Sequence, residues 1–523
     1  MALPPPQSSI SYAHGAENFT VSLGPIDLAV LVAFVAATLA IGLWFGRGEK
    51  NTGDFFLGGR RQHWLLAGVS IIATEVSALT LIAVPAEAFK GDWNYLQMYA
   101  GAFLGRILIV LLLLPAFYGG QVTTVYEYLG QRFGPWTRTT ASLMFFASRI
   151  IGSGVRLLVA SLAISEVFGW PLVWVVVGSA GVAMLYATYG GIKAILWTDA
   201  FQAAIFISAA VAAIVVILRL TPGSWSENLA TAYNAGKFHT FTWDANANNA
   251  RAFWVLLIHA TVLNMAALGT DQDLTQRMLT CKNLLDGQKS LIFNMFAGFP
   301  IVCVFLTIGA LLFVYYQTQP ADALPDRVIE KIERIFPHFI ATALPHNVGL
   351  KGLLVTAVFA AAMSSLSSAL GALSSTAVTD FYRVLRRAPR SDGHYLYVAR
   401  VFTFSFGVLL IFVALAFTRY DQLLWEVFKW VGLVFGGMLG VFLLGVTTRH
   451  RGRDSLNALA MISSVVVLVA LKLYQEWPDP QTGVSPPVLI AWPWWVVVGT
   501  GWTYMLAAFF PTGNATARSG SYE

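Results

Sequence analysis

Long apolar runs with few charges alternate with short polar connections along almost the whole chain. The runs fall at 26–46, 64–89, 95–119, 136–168, 171–190, 192–220, 252–268, 292–317, 350–380, 394–418, 425–447, 455–473 and 489–511. A helix crosses bilayer hydrocarbon with about 20 such residues. The pattern therefore predicts an all-α integral membrane protein of about 13 transmembrane helices. What remains is loops and tails, so residues 1–523 form one transmembrane domain. The longer connections 221–250 and 318–349 leave room for short surface helices, and Ile329–Ile340 has a mixed apolar and charged pattern that fits one.

Composition agrees: 57% of residues are hydrophobic and 11% charged, which no soluble domain matches. The net charge of +6 comes from basic loops and calls for no nucleic-acid partner. Those loops lie on one side: Arg47, Lys50, Arg60 and Arg61, then Arg132 and Arg138, then Arg277, Lys282 and Lys289, then Arg383–Arg390 and Arg449–Arg453. The positive-inside rule puts them in the cytoplasm, and an odd helix count then places the N-terminus outside and the C-terminus inside. The tail up to Pro25 has no Lys or Arg, so it lacks the basic region of a signal peptide and the first apolar run reads as a retained helix. Asn18-Phe19-Thr20 fits a glycosylation acceptor. Cys281 and Cys303 give no disulfide framework.

The ninth run holds Phe359–Ala377, FAAAMSSLSSALGALSSTA, without a charge. Ala361, Ser364 and Ser365 share one helix face, and Ser364, Ser367 and Ser368 repeat the spacing a turn on. A ladder of hydroxyl oxygens away from positive charge suits a small hard cation losing its water. Small hydroxyl residues also allow two membrane helices to pack closely. Ionisable groups within the spans are functional candidates. Arg149 and Arg156, seven apart, share a face of the fourth span and either clamp a substrate carboxylate or pair with acids on other helices. Glu75 sits among Thr74, Ser77 and Thr80, with Pro85 following, a pattern that favours a broken helix with freed carbonyls. Asp199 starts the sixth span and either neutralises a passing cation or pairs with Lys193 or a loop Arg. Lys429 either faces a cavity or snorkels, and Asn264 is a candidate solute contact. No phosphate-cradling Gly-rich loop, metal-ligand cluster or enzymatic constellation occurs in the sequence, so the work must come from an ion or solute gradient.

Four stretches in order, DFFLGGRRQHWLLAGVSIIATEVSA, YGGIKAILWTDAFQ, GTDQDLTQRML and FAAAMSSLSSALGALSSTAVTDFY, carry a resemblance to the sodium/solute symporters, the family of the sodium–glucose, proline, sialic acid, iodide and monocarboxylate cotransporters. The resemblance implies a leucine-transporter-type fold of two inverted five-helix repeats, here 64–220 and 252–447, with the peripheral helix 26–46 before and two helices within 455–511 after. It implies a main sodium site from the carbonyls of Ala73, Val76 and Ala361 and the hydroxyls of Ser364 and Ser365. A second site would comprise Ser364, Ser367, Ser368 and Asp199, making two-sodium coupling plausible. Thr80 and Tyr99 stand where sugar-transporting relatives carry their sugar hydrogen-bonders, which departs from a glucose-type site. Ser77 and Thr80 look like the sialic acid branch, in which hydroxyls and an Arg on the third core helix hold a carboxylate. Pro85-Ala86-Glu87 and Thr270-Asp271-Gln272 resemble the iodide and monocarboxylate branch. The expectation is a sodium-driven importer of a small organic anion working by alternating access in the plasma (bacterial inner) membrane, functional as a monomer. The rivals are a neutral-solute or sugar symporter, a sensor acting through a separate partner, and a sodium channel or uniporter.

Overall fold

The computed structural model describes residues 23–512 apart from 321–322, 346, 387, 419–422 and 477–487, and leaves aside the side chains of 78–79, 166–168, 327, 423–431 and 476. The Asn18 triplet thus lies outside the described residues. Among those described, the backbone is helical throughout, with isolated bridges (Gln62 with Cys281, Arg451 with Pro511) and no strand. The principal helices are α1 (Pro25–Phe45), α2 (Trp64–Glu75), α3 (Ala78–Lys90), α4 (Asn94–Gly119), α5 (Pro135–Phe168), α6 (Leu172–Leu220) and α7 (Phe253–Gly269). They continue as α8 (Gln272–Leu279), α9 (Leu284–Gln317), α10 (Leu350–Thr376), α11 (Asp392–Phe417), α12 (Leu423–Thr447), α13 (Asp454–Glu476) and α14 (Trp494–Phe509). Among the described residues eight helices are long and apolar enough to cross a membrane, or ten if each of two bent pairs is one span.

Those bends interrupt the bundle where function is expected. α2 and α3 meet at 60°, and α7 and α8 at 64°. At the first break Val76 leaves helical geometry (φ −78°, ψ 87°) and Ser77 begins α3. At the second, the Asp271 side chain caps α8 by accepting the Asp273 amide at 2.9 Å.

The runs 171–190 and 192–220 are two helices that meet at a kink, together 49 residues and labelled α6. At 1.5 Å per residue that is about 74 Å, enough for two crossings. Gly191 bends it between them (φ 54°, ψ −149°). The run 292–317 begins earlier than hydropathy suggests, at Leu284, capped by the Asn283 side chain on the Asp286 amide. The stretch around 329–340 divides into Asp326–Glu330, Ile332–Arg334 and Ile335–Thr342, and the connection 221–250 carries Trp225–Asn234.

α10 is the axis: its span is 94% buried, against 28% for α11 and 22% for α1, which face lipid. Close approach is made with glycines, as membrane helices without a hydrophobic driving force require. Gly101 and Gly105 of α4 lie against the Leu257 and Thr261 carbonyls of α7, and Gly309 of α9 lies against the Pro85 carbonyl of α3.

Candidate functional site

The break after α2 frees backbone oxygen. The Val76 amide still reaches the Ile72 carbonyl at 2.9 Å, but the Ser77 amide turns to Glu75 at 3.0 Å. The Ala73 carbonyl thereby loses its helical donor. α10 is held to α2 by the Thr74 Oγ1–Ser368 Oγ contact of 3.1 Å, so Ala361, Ser364 and Ser365 are buried on the helix packed against the break. The Ser365 hydroxyl is buried without a hydrogen-bond partner. A buried hydroxyl left so costs on the order of 1–3 kcal/mol. Freed carbonyl and unpaired hydroxyl oxygens are the donor set of a hard cation.

Ser365 also lines a closed cavity with Ser77, Ser153, Arg156, Leu157 and Ala362. Its volume is about 10 Å³, room for about one water. Ser153 Oγ is a second buried hydroxyl without a partner. Arg156 makes no ion pair among the described residues. A guanidinium beside two orphan hydroxyls can receive a carboxylate bidentately.

Arg149 is engaged differently. It pairs with Asp271 and, at 2.8 Å, with Asp273 across the second break. Of the two arginines on the α5 face, only Arg156 reaches the cavity.

Of the four residues expected to form a second sodium site, Asp199 and Ser364 touch directly, while Ser367 and Ser368 bond back to their own helix. Asp199, fully buried on α6, accepts from Ser364 Oγ at 2.7 Å and from Ser70 Oγ at 2.5 Å. Ser367 and Ser368 hydroxyls donate to the Ser364 carbonyl at 3.1 and 2.6 Å. The ladder is not free of positive charge, however. Arg277, expected among the basic cytoplasmic loop residues, is fully buried on α8 and reaches into it. Its Nη2 donates to Asp199 at 3.2 Å and to Ser368 Oγ, its Nε to Ser70 Oγ at 2.8 Å, and its Nη1 to the Asp273 carboxylate at 3.2 Å. Hydropathy hid this residue because α8 is a polar half-span whose eight residues are all buried.

Glu75 also finds protein partners: Arg106 Nη2 at 2.7 Å and Asn294 Nδ2 at 2.6 Å. Neither partner was singled out in the sequence, although Arg106 is a charge in the middle of an apolar run. Thr80, Tyr99 and Asn264 do not line the closed cavity. The Thr80 hydroxyl is 3.5 Å from that of Ser77, and Thr80 lines a second cavity of about 670 Å³ with Glu87, Tyr95, Arg251 and Trp492. The Tyr99 ring packs edgewise on Phe299 at 6.0 Å. The Asn264 amide bonds back to its own helix at the Ala260 carbonyl, 2.9 Å away. The side chain of Lys429 lies outside the described residues.

A model of the sodium:solute symporter family matches residues 55–454. The sodium/sialic acid symporter SiaT of Proteus mirabilis (strain HI4320) is 32% identical over 451 residues, covering 86% of this chain and 90% of the relative. Sodium-coupled monocarboxylate transporter 1 of Mus musculus is 27% identical, covering 87% and 74%. The solved structure of a sodium-coupled sialic acid symporter in a substrate-bound outward-open state superposes with a TM-score of 0.81 at 28% identity, over 93% of this chain and 97% of that one. The nucleobase-cation-symport-1 family transporter Mhp1, at 13% identity and a TM-score of 0.53 over 86% of this chain and 92% of its own, shares the fold. The chain belongs to the sodium:solute symporter family.

Proposed function

We propose that this protein is a sodium-coupled symporter that imports a small organic anion by alternating access. One observation carries the reading: Arg156, without an acidic partner among the described residues, lines the same closed cavity as the unpartnered hydroxyl of Ser365. Arg156, Ser77 and Ser153 receive a carboxylate, and the next oxygens along receive sodium. The two kinds of relative reported above are named for sialic acid and for monocarboxylates, both carboxylate-bearing.

Counting each bent pair once and α6 twice gives thirteen crossings. That count supports two inverted repeats at 64–220 and 252–447, one helix before and two after, with the N-terminus outside and the C-terminus in the cytoplasm. The unit of transport is the monomer. Sodium binds the carbonyls of Ala73, Val76 and Ala361 and the hydroxyls of Ser364 and Ser365, bridging the broken span to α10. Bridging pre-forms the anion pocket, the anion neutralises Arg156, and the bundle rocks to face the cytoplasm. A second sodium enters at Asp199, Ser364, Ser367 and Ser368 by displacing Arg277 from Asp199 and Ser368, with Asp273 retaining the guanidinium.

The test is uptake into proteoliposomes of labelled sialic acid and of labelled lactate under an inward sodium gradient. Sodium-dependent uptake of either, abolished by replacing sodium with choline and reduced at least about tenfold in Ser365→Ala, is expected. Uptake indifferent to choline replacement overturns the sodium coupling. Sodium-dependent uptake of a sugar or a neutral amino acid, with neither acid carried, overturns the anion.

A further inference from the structure

We propose that the groove between the first half of α6 and α11 binds an anionic glycerophospholipid, with the phosphate on Arg400 and an acyl chain along the groove. The groove encloses about 410 Å³ and is walled by Gly181, Met184, Leu185, Thr188, Tyr189 and Phe404, with Arg400 reaching into it. Its walls are apolar and open to the membrane: Leu185 is 61% exposed and Phe404 55%. Gly181 deepens it, since a Cβ there would meet nothing within 4 Å. The space is therefore shaped as a slot running from the hydrocarbon to one charged end.

That end has an unmet cation. The Arg400 Nη2 reaches the Tyr189 carbonyl at 3.3 Å, and its guanidinium lies over the Tyr189 ring at 5.8 Å. The Arg400 Nε is buried without a hydrogen-bond partner. The acid whose charge acts with it is Glu49, in the loop after α1, which already pairs with Lys193 at 3.2 Å. Burial pushes the Glu49 carboxyl above its ordinary range, and Lys193 is the cation it contacts. The loop leading into α11 adds Arg383, Arg386 and Arg390 on the same side. An arginine at the rim of an apolar slot, backed by a basic surface, matches a lipid phosphate ester. Neither a soluble anion nor a second protein copy uses the apolar slot and the charge together in this way. The site depends on the bilayer alone and not on the transported solute.

The experiment is native mass spectrometry of the full chain released from detergent and titrated with phosphatidylglycerol or phosphatidylcholine of matched chains, beside Arg400→Gln and the groove-filling Gly181→Leu. Retained phosphatidylglycerol should exceed phosphatidylcholine about tenfold, because the choline ammonium beside the same phosphate offsets its attraction to Arg400. Arg400→Gln should abolish that preference, and Gly181→Leu should lower binding of both lipids. An unchanged sodium-induced shift in melting temperature shows that each variant is folded. Equal retention of the two lipids, or a preference that survives Arg400→Gln, overturns the proposal. So does displacement of the lipid by free glycerol phosphate, which would place a soluble anion on Arg400.

Discussion

Arg277 and Asp199 meet at 3.2 Å in the bundle interior, their side chains 1% and 0% exposed. The pair joins α8 of one broken span to α6, and through Ser70, Ser364 and Ser368 it draws in α2 and α10. A protein cation thus stands where the ladder would offer a second sodium its ligands. Removing it should open those ligands. Arg277→Gln is expected to lower the sodium concentration giving half-maximal thermal stabilisation several-fold, whereas Asp199→Asn should bring the sodium Hill coefficient down towards one. An Arg277→Gln protein whose sodium midpoint stays where it is would show that the guanidinium and the ion do not share the site.

The same exchange sets the electrical signature. Carrying a monovalent anion with one sodium moves no net charge, and with two it moves one. One charge gains about 2.3 kcal/mol per 100 mV of membrane potential. Uptake by the native protein should therefore rise with an imposed inside-negative potassium diffusion potential in the presence of valinomycin. A rate unaffected by that potential means a single sodium.

Arg149 and Arg156 are the same residue type two turns apart, yet they should fail differently. Arg149 pairs with Asp271 and Asp273, so Arg149→Met leaves buried Asp271 without its cation, while Asp273 keeps only Arg277. Breaking such a pair costs roughly 3–5 kcal/mol, which should appear as a lowered melting temperature and poor yield. Arg156 has no acid to strand. Arg156→Met should leave the melting temperature near native and weaken anion affinity by about tenfold to a hundredfold, the range for one hydrogen bond to a charged group. The check is isothermal titration with the transported acid alongside melting curves. Native affinity in Arg156→Met would remove it from the pocket.

Glu75 looks from the sequence like an obstacle to anion binding, and its surroundings remove the obstacle. It lies 2.7 Å from Arg106 and 2.6 Å from Asn294, so its charge is balanced by α4 and α9. Glu75→Gln alone should cost roughly 3 kcal/mol by leaving Arg106 buried and unpaired. The double change Glu75→Gln with Arg106→Met should recover much of that loss. A double-mutant cycle read from melting temperatures gives the coupling, and independent, additive losses would mean that the pair does not hold the break.

What the sequence disclosed follows from which forces leave a periodic trace. Hydropathy and loop charge mark the apolar runs well, because every lipid-facing turn must be apolar. The polar cluster around Glu75 pointed to the break, and the Ser364–Ser368 spacing put its hydroxyls on one face. Partnership across the bundle leaves no such trace. Arg277 read as a loop cation because α8 is short and polar, and Arg106 passed as one charge in an apolar run. Which of Arg149 and Arg156 remains without an acid depends on Asp271 and Asp273, 115 and more residues away in the chain. The boundary between the runs 171–190 and 192–220 was legible, and it falls at the non-helical Gly191.

That glycine makes the last expectation concrete. Gly191 holds φ 54° with ψ −149°, backbone that only glycine adopts readily, and a Cβ there would collide with the Phe55 carbonyl oxygen. Gly191→Ala therefore combines strain of about 1–3 kcal/mol with displacement of the short helix Thr52–Leu57. The bend lies eight residues before Asp199, so straightening it would turn the carboxylate away from Ser364 and Arg277. Gly178→Ala is the control: that glycine sits in regular helix with open space beside it. It should be neutral or stabilise by up to about 1 kcal/mol. Melting temperature and sodium response measured together decide the matter. Gly191→Ala should lose both, Gly178→Ala neither, and a Gly191→Ala protein with native sodium response would mean that the bend does not aim Asp199.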